Sequence, residues 1–501
     1  MKRTLVKILS LTVCLQLSAV VAAQNVTVWE TTPDGQPCIA PRPQVYSFSD
    51  KSTDRRVPIT IDDRQHFQKM RGFGYALTGG SAELMMAMSA EARHNLILSL
   101  FGKGEDQAGI SYLRLTIGAS DMNSFVFSYD DMVRDKSDWE LKNFSLAQDL
   151  NDVVPVMKEI LAVNPDIEIL ASPWSAPTWM KTNNDVQGGK LREECYDVYA
   201  RYFVRYIQEM AKQGITISAI TIQNEPLNSR NTPSMAWTPQ EQAEFIANYL
   251  GPQLRKNGIS TEIVLFDHNC DRPDYPLTIL SNPKASQYAS GVAFHQYMGD
   301  LSGMTTVHEM RPDIDIFFTE QMIIDRSGSA TATIAPVVER VVINVVRNWS
   351  CNVILWNLAA DTDAGPHTDN GGCPFCHGAI TIAGDKWHRN IAFYGLAHAS
   401  EFVPAGSYRI SSTSPTDKGT ILFEDEQSEG TMRAVEYEHS NVLPNVAFET
   451  PDGRIVLVVA NTHSSSESVW VRYHGKYCEI TVASGSVVTL EWKKQKKNIA
   501  T

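Results

Sequence analysis

The feature that most constrains this chain is a rhythm. Short apolar runs recur eight times, at 70–77, 110–117, 167–172, 218–224, 262–267, 292–297, 314–319 and 352–357. Between them lie longer stretches with helical spacing of apolar residues, among them 81–101, 146–163, 193–212, 239–256 and 334–349. A strand that is apolar throughout must be covered on both faces, and a helix between two such strands returns the chain to the same edge of a parallel sheet. Eight such units in roughly 300 residues predict an α/β fold closed as a (β/α)8 TIM barrel, not an open sheet.

The rhythm stops near residue 400. From there the apolar runs are short and alternate with polar residues, at 408–410, 419–423, 432–437, 446–449, 455–460, 468–473, 479–482 and 486–492. Asp452-Gly453 and His474-Gly475 fall where hairpin tips are needed. These signs predict an attached all-β sandwich domain. Residues 24–66, broken by Pro33, Pro37, Pro41 and Pro43, have no place in the barrel count and are expected to join the sandwich. The expected organisation is a leader at 1–23, sandwich strands at 24–66, a barrel at 67–400 and the rest of the sandwich at 401–501.

The leader reads as a signal peptide. Lys2, Arg3 and Lys7 precede an apolar run from Leu5 to Val21, and Val21-Ala22-Ala23 offers small residues for cleavage before Gln24. This predicts a secreted or periplasmic protein. Lipid anchoring at Cys14 is less favoured, because Val13 precedes it and the apolar run continues beyond it. No later apolar run is long enough to span a bilayer, so membrane insertion is not expected. The net charge of −13 opposes binding to a phosphate backbone, which argues against a nucleic-acid partner. Of eight Cys, Cys270, Cys351 and Cys478 sit singly in or beside apolar runs and read as buried thiols. Cys373-Pro374-Phe375-Cys376 lies in a Gly-rich loop without a second such pair, and export favours a local disulfide over a metal. Neither a P-loop nor a helical HExxH is present, so no cofactor or metal is expected. Oligomeric state is not legible.

In a barrel of this kind chemistry sits where strands end at their C-termini. The fourth run ends in Gln223-Asn224-Glu225-Pro226 and the seventh in Phe318-Thr319-Glu320. Either acid alone also reads as a helix cap or an ion-pair partner. Together they face each other across one barrel mouth, which is what glycoside hydrolysis requires: one carboxyl protonated for the leaving oxygen, the other ionised for attack on the anomeric carbon.

Three segments carry a resemblance. They are Gly72-Phe73-Gly74, the run Ala171-Ser172-Pro173-Trp174-Ser175-Ala176-Pro177-Thr178-Trp179-Met180-Lys181-Thr182-Asn183, and Trp356-Asn357-Leu358-Ala359. With the two glutamates they make the stretch from about Gly72 to Phe402 resemble glycoside hydrolase family 30. That family includes glucosylceramidases, β-glucosidases, xylosidases and β-1,6-glucanases, and carries a C-terminal β-sandwich. The resemblance implies Glu225 as acid/base and Glu320 as nucleophile. It further implies Asn224 on the sugar 2-hydroxyl, Arg114 holding the nucleophile ionised, His295 and Tyr297 near the pair, and Trp174, Trp179 and Trp356 as walls. Asp267-His268-Asn269 ends strand five and is left as support.

Two departures from the glucosylceramidase pattern bear on substrate. Gly79 stands where an acid gripping the glucose 4- and 6-hydroxyls is expected, and Gln296 stands where Trp is expected. The expectation is therefore a retaining β-glucanase with space at O6, endo-acting on β-1,6-glucan. The alternatives are an exo-acting β-glucosidase, glucosylceramidase or β-xylosidase, with Asp121 or Asp361 supplying the missing acid, and, more remotely, a non-catalytic glycan-binding protein. The expected partner is a polysaccharide or oligosaccharide substrate.

Overall fold

The computed structural model describes residues 24–494, apart from 51–56, 105, 325–330, 370–372, 374, 416–417, 425–431 and 439–441. The leader expected at 1–23 lies outside the described residues.

Eight parallel strands form the barrel: Gly72–Leu77, Tyr112–Thr116, Glu168–Ser172, Ala219–Thr221, Glu262–Asn269, Ala289–His295, Asp315–Glu320 and Asn352–Leu355. They are called strands one to eight below. Strands one to seven pair in sequence order, and strand eight returns to pair with strand one. The last seam, between strands seven and eight, is drawn together by an isolated Ile316–Ser350 bridge. There the Phe318 N–H donates to the Asn352 side-chain oxygen at 2.9 Å. The interior is filled by Tyr112, Leu170, Ala219, Val264, Ala293 and Phe317, one from each of strands two to seven, with Cys351 and Ile354. It is a packed core and not a pore. Strand one supplies Gly74 beside this layer, because a Cβ there would lie 1.6 Å from the Tyr112 carbonyl oxygen.

The helical stretches form largely where the spacing places them, with one split in two and one shortened. The expected helix at 81–101 is two, Gly79–Ala87 and Ala90–Phe101. Met88 is extended, and the Ser89 hydroxyl caps the second helix by accepting from the Ala92 N–H. The helix expected at 146–163 begins only at Val153, capped by Asp152.

Beyond the barrel, Tyr408–Ser412, Asn445–Glu449, Arg454–Ala460, Glu467–Tyr473, Lys476–Val482 and Val487–Lys493 belong to one curled sheet. Asn25–Thr31 pairs antiparallel with Val487–Lys493, and Ile59–Lys69 lies between Tyr408–Ser412 and Glu467–Tyr473. Val28, Ile61, Leu457, Val471, Ile480 and Leu490 are among the residues of its own core. The two bodies are joined by buried contacts. His398 of the helix Ile391–Ser400 is held between the Thr489 and Thr31 hydroxyls at 2.9 and 2.8 Å.

Candidate active site

The mouth is shaped by two irregularities on either side of strand six. Between strands five and six the register skips Asp267, and between strands six and seven it skips Thr319. Phe266 and Asp267 both have left-handed backbone, with φ of 72° and 64°. Such bulges re-aim a side chain. Here they let the Thr319 hydroxyl donate to Asp267 at 2.7 Å inside the barrel. Glu225, just past strand four, also has φ of 47°, unusual for a residue with a side chain and the kind of local strain found at functional sites.

Arg114 of strand two is the centre of charge. It is fully buried. Its Nη1 donates to Glu320 Oε2 at 2.6 Å, and its Nη2 donates to Asp267 Oδ2 at 2.8 Å and Asn224 Oδ1 at 2.7 Å. Its guanidinium lies over Trp174, 4.8 Å from the ring centre, and Trp174 stacks on Trp356 with centroids 5.3 Å apart. The Tyr297 hydroxyl donates to Glu320 Oε1 at 3.0 Å. Glu225 meets a different set. Its Oε1 is 3.2 Å from His295 Nδ1, and its Oε2 accepts from Asn228 Nδ2 at 2.7 Å. The far nitrogen of His295 lies 3.0 Å from Asp267 Oδ1. One oxygen of Glu225 and one of Glu320 lie within 4.8 Å of each other.

These contacts decide where protons rest. Burial alone would lower His295. The surrounding carboxylates of Glu320, Asp267 and Glu225 overcome it and raise the imidazole to about 9. Burial alone would raise Glu225, and His295, His268 and Asn228 bring it down to about 2. Burial raises the Glu320 carboxyl above its usual range, with His295 and Arg114 working against it and Glu225 adding to it. His295 and Glu225 thus share one proton along their contact, which the pair retains up to about pH 9. Both ring nitrogens of His295 face carboxylates, Glu225 on one side and Asp267 on the other, so the imidazole is held within the protein's own hydrogen bonds.

The cavity above the pair holds about 910 Å³ and is lined by Asp121, Glu225, Tyr297, Glu320 and Trp356 with residues of the surrounding loops. Burial, together with the charges of Glu320 and Glu225, raises Asp121 to about 8. The shift favours its neutral form, which can donate a hydrogen bond. Asp361, the other candidate for a missing acid, instead caps its own loop by accepting from the Asp363 and Gly365 N–H groups.

The structure corrects three sequence expectations. Trp179 is not a wall of this cavity among the described residues. Its indole N–H donates to the Asp130 carbonyl at 3.0 Å, and its ring packs edge-on against Trp139. Trp174 lies behind the cavity surface, under Arg114. Gly79 does not leave open space. A Cβ there would lie 1.9 Å from Asn123 Nδ2, and Asn123 is held in place by accepting from the Ser120 N–H at 2.8 Å. Lys181, at the end of the long tryptophan-bearing run, is structural: it donates to Ser175 Oγ and to the Ser234 and Val186 carbonyls.

Sequence reasoning did not find Asn228, whose signal was its place three residues after Glu225 in the turn leaving strand four. It left Asp267 with only a supporting role. Asp267 is fully buried and joins Arg114, His295, Thr319, Thr221 and Ser172 beneath the pair.

Comparison with known proteins converges with this geometry. Residues 70–403 match the glycosyl hydrolase family 30 TIM-barrel domain, and residues 406–490 match that family's beta sandwich domain. An endo-1,6-beta-D-glucanase of Trichoderma harzianum is 32% identical over 426 residues, covering 81% of this chain and 80% of that protein. The lysosomal acid glucosylceramidase of Mus musculus is 28% identical over 467 residues, covering 87% and 84%. Among solved structures, an endo-beta1,6-glucanase superposes with a TM-score of 0.82 at 31% identity, covering 94% of this chain and all of the other. With its barrel, its sandwich and two glutamates facing each other at the mouth, the chain belongs to glycosyl hydrolase family 30 and is a retaining glycoside hydrolase.

Proposed function

We propose that this enzyme is a secreted endo-β-1,6-glucanase working by double displacement, with Glu320 as nucleophile and Glu225 as acid/base. The observation that carries the mechanism is the approach of the two carboxylates to within 4.8 Å. Retaining pairs stand about 5–5.5 Å apart, and inverting pairs stand far enough apart to admit a water between them. Glu320 is held by Arg114 at 2.6 Å on one oxygen and by the Tyr297 hydroxyl at 3.0 Å on the other. As the glycosidic bond breaks, Glu225 gives its proton to the departing oxygen. That proton reaches Oε1 from His295 across their 3.2 Å contact, with no change in the charge of the pair. The same carboxylate then takes a proton from the water that opens the glycosyl-enzyme. Asn224, its oxygen occupied by Arg114, presents an amide N–H to the sugar 2-hydroxyl.

The linkage reading rests on the relatives named endo-1,6-beta-glucanase at about a third identity over most of the chain. Asp121 favours a second reading. It places a carboxyl beside both glutamates, where an exo-acting glucosidase would hold a terminal sugar. Digestion of β-1,6-glucan separates the two. Early products that form a spread of oligosaccharides support endo action. Glucose alone from the start, or intact glucan with cleaved glucosylceramide, contradicts it. Secretion rests on the leader at 1–23, and N-terminal sequencing of exported protein should begin at Gln24.

A further inference from the structure

Thirteen large apolar side chains are exposed among the described residues, and five of them line this one cavity: Leu227, Tyr297, Met298, Ile324 and Phe375. Scattered exposed apolar residues mean little, whereas their concentration around a cavity marks a binding surface. The rim is not a continuous apolar strip. Asn228, Arg230, Asp271 and Arg272 stand among the same residues. A lipid chain would have to desolvate those charged groups without replacing their hydrogen bonds. A pyranose ring suits the mixture, since its C–H faces are apolar and its edge carries hydroxyls.

Phe375 is set apart from the other four by its mounting. It lies between Cys373 and Cys376, which are bridged and both line the cavity. Cys376 is buried against the Trp174–Trp356 cluster, and its carbonyl accepts from Asn357 Nδ2 at 3.4 Å. The bridge therefore ties the loop carrying Phe375 to the wall of the catalytic pocket, while the ring itself stays 51% exposed. An exposed aromatic ring on a covalently closed loop loses little freedom when a ligand covers it.

We propose that Phe375 is the stacking surface for a glucose ring adjacent to the one held at Glu225 and Glu320, and that the Cys373–Cys376 bridge presents it. This rests on the glucanase reading above and adds to it a residue that measures chain length.

The test compares β-1,6-linked gluco-oligosaccharides with β-glucosyl fluoride, which has one sugar ring and no aglycone. Phe375→Ala should raise KM for the oligosaccharides roughly five- to tenfold, as expected for losing part of one apolar contact, with kcat changed much less. Its effect on kcat/KM for the fluoride should be several-fold smaller. Phe375→Tyr should restore the oligosaccharide KM. The double variant Cys373→Ser, Cys376→Ser should raise the oligosaccharide KM in the same direction, and adding Phe375→Ala to it should cost less than it does in the parent enzyme. Equal losses on both substrates, or an unchanged oligosaccharide KM, would overturn the proposal. So would a KM rise confined to alkyl glucosides of increasing chain length, which would assign the rim to an apolar aglycone. A parent enzyme that leaves β-1,6-glucan intact contradicts the linkage and not the stacking surface, which is then read in the same way on the glucan that it does cut.

Discussion

The barrel carries an arginine among carboxylates at each of its two ends, and the two clusters differ in one respect. At the end where strands begin, Arg71 pairs with Glu168 at 2.9 Å and Glu262 at 2.7 Å, with Asp315 at 3.8 Å. Those acids are the first residues of strands three, five and seven, and their side chains are 32%, 33% and 58% exposed. At the end where strands finish, Arg114 pairs with Asp267 and Glu320, whose side chains are 0% and 8% exposed. Water shares the charge at the first end. At the second it does not, so each proton and each N–H there must be placed by the protein. Similar residue types therefore staple strands together at one end and set up chemistry at the other, which is the usual division between the two faces of this fold.

The largest expected effect breaks that contrast directly. Arg114→Met strands two buried carboxylates and should cost about 3–5 kcal/mol of stability, together with nearly all turnover. Arg71→Met leaves acids whose side chains are about a third or more exposed and should cost about 1 kcal/mol for each lost pair, with turnover within about threefold of the parent. Thermal unfolding and kcat measured on both variants check this. Similar losses from the two substitutions would remove the distinction between the ends.

A smaller effect concerns the shared proton at the mouth. His295 is raised to about 9, so the His295–Glu225 pair keeps its proton up to that pH, and the basic limb of kcat/KM should fall near it. In His295→Gln the proton rests on Glu225 alone, without the imidazolium that holds it. The basic limb should then move to lower pH by roughly two units. The acidic limb, set by Glu320, should lie above the ordinary carboxylate range, because burial raises that group. An unmoved basic limb in His295→Gln would place the transferred proton elsewhere.

The smallest effect lies in the sandwich, where a buried acid has a purely structural role. Burial would raise Asp63, but hydrogen bonds from His474, Tyr473 and Lys494 bring it down to about 2. A depressed carboxyl contributes stability that is present above its unfolded value of 3.8 and is lost as pH falls toward 2. Asp63→Asn should therefore lower stability at neutral pH and flatten its loss across that window. Equal acid sensitivity in the parent and the variant would show that other groups govern it.

The two ends were not equally legible in the sequence. Strand positions were, because a strand covered on both faces must be apolar along its length: the run at 110–117 contains Tyr112–Thr116, and that at 167–172 contains Glu168–Ser172. Glu225 and Glu320 were legible for the opposite reason, as acids placed where such runs end. The hidden parts depend on direction. Periodicity does not reveal the bulges at Asp267 and Thr319, so the buried bridge between Arg114 and His295 was not visible. A tryptophan in a motif does not announce which way it faces, and Trp179 turns to Asp130. A glycine announces the loss of a side chain but not what fills the space, which at Gly79 is Asn123. The rim around Phe375 comes from several different loops and has no signature along the chain.

The central claim is that Glu320 forms the covalent intermediate while Glu225 handles the proton. A 2-deoxy-2-fluoro β-glucoside with a good leaving group slows both steps and lets the glycosyl-enzyme accumulate. Mass spectrometry of the digested enzyme should find one fluoroglucosyl adduct, on the peptide containing Glu320, formed in step with inactivation and lost on reactivation. An adduct on Glu225, or time-dependent inactivation with no adduct on Glu320, would contradict the account.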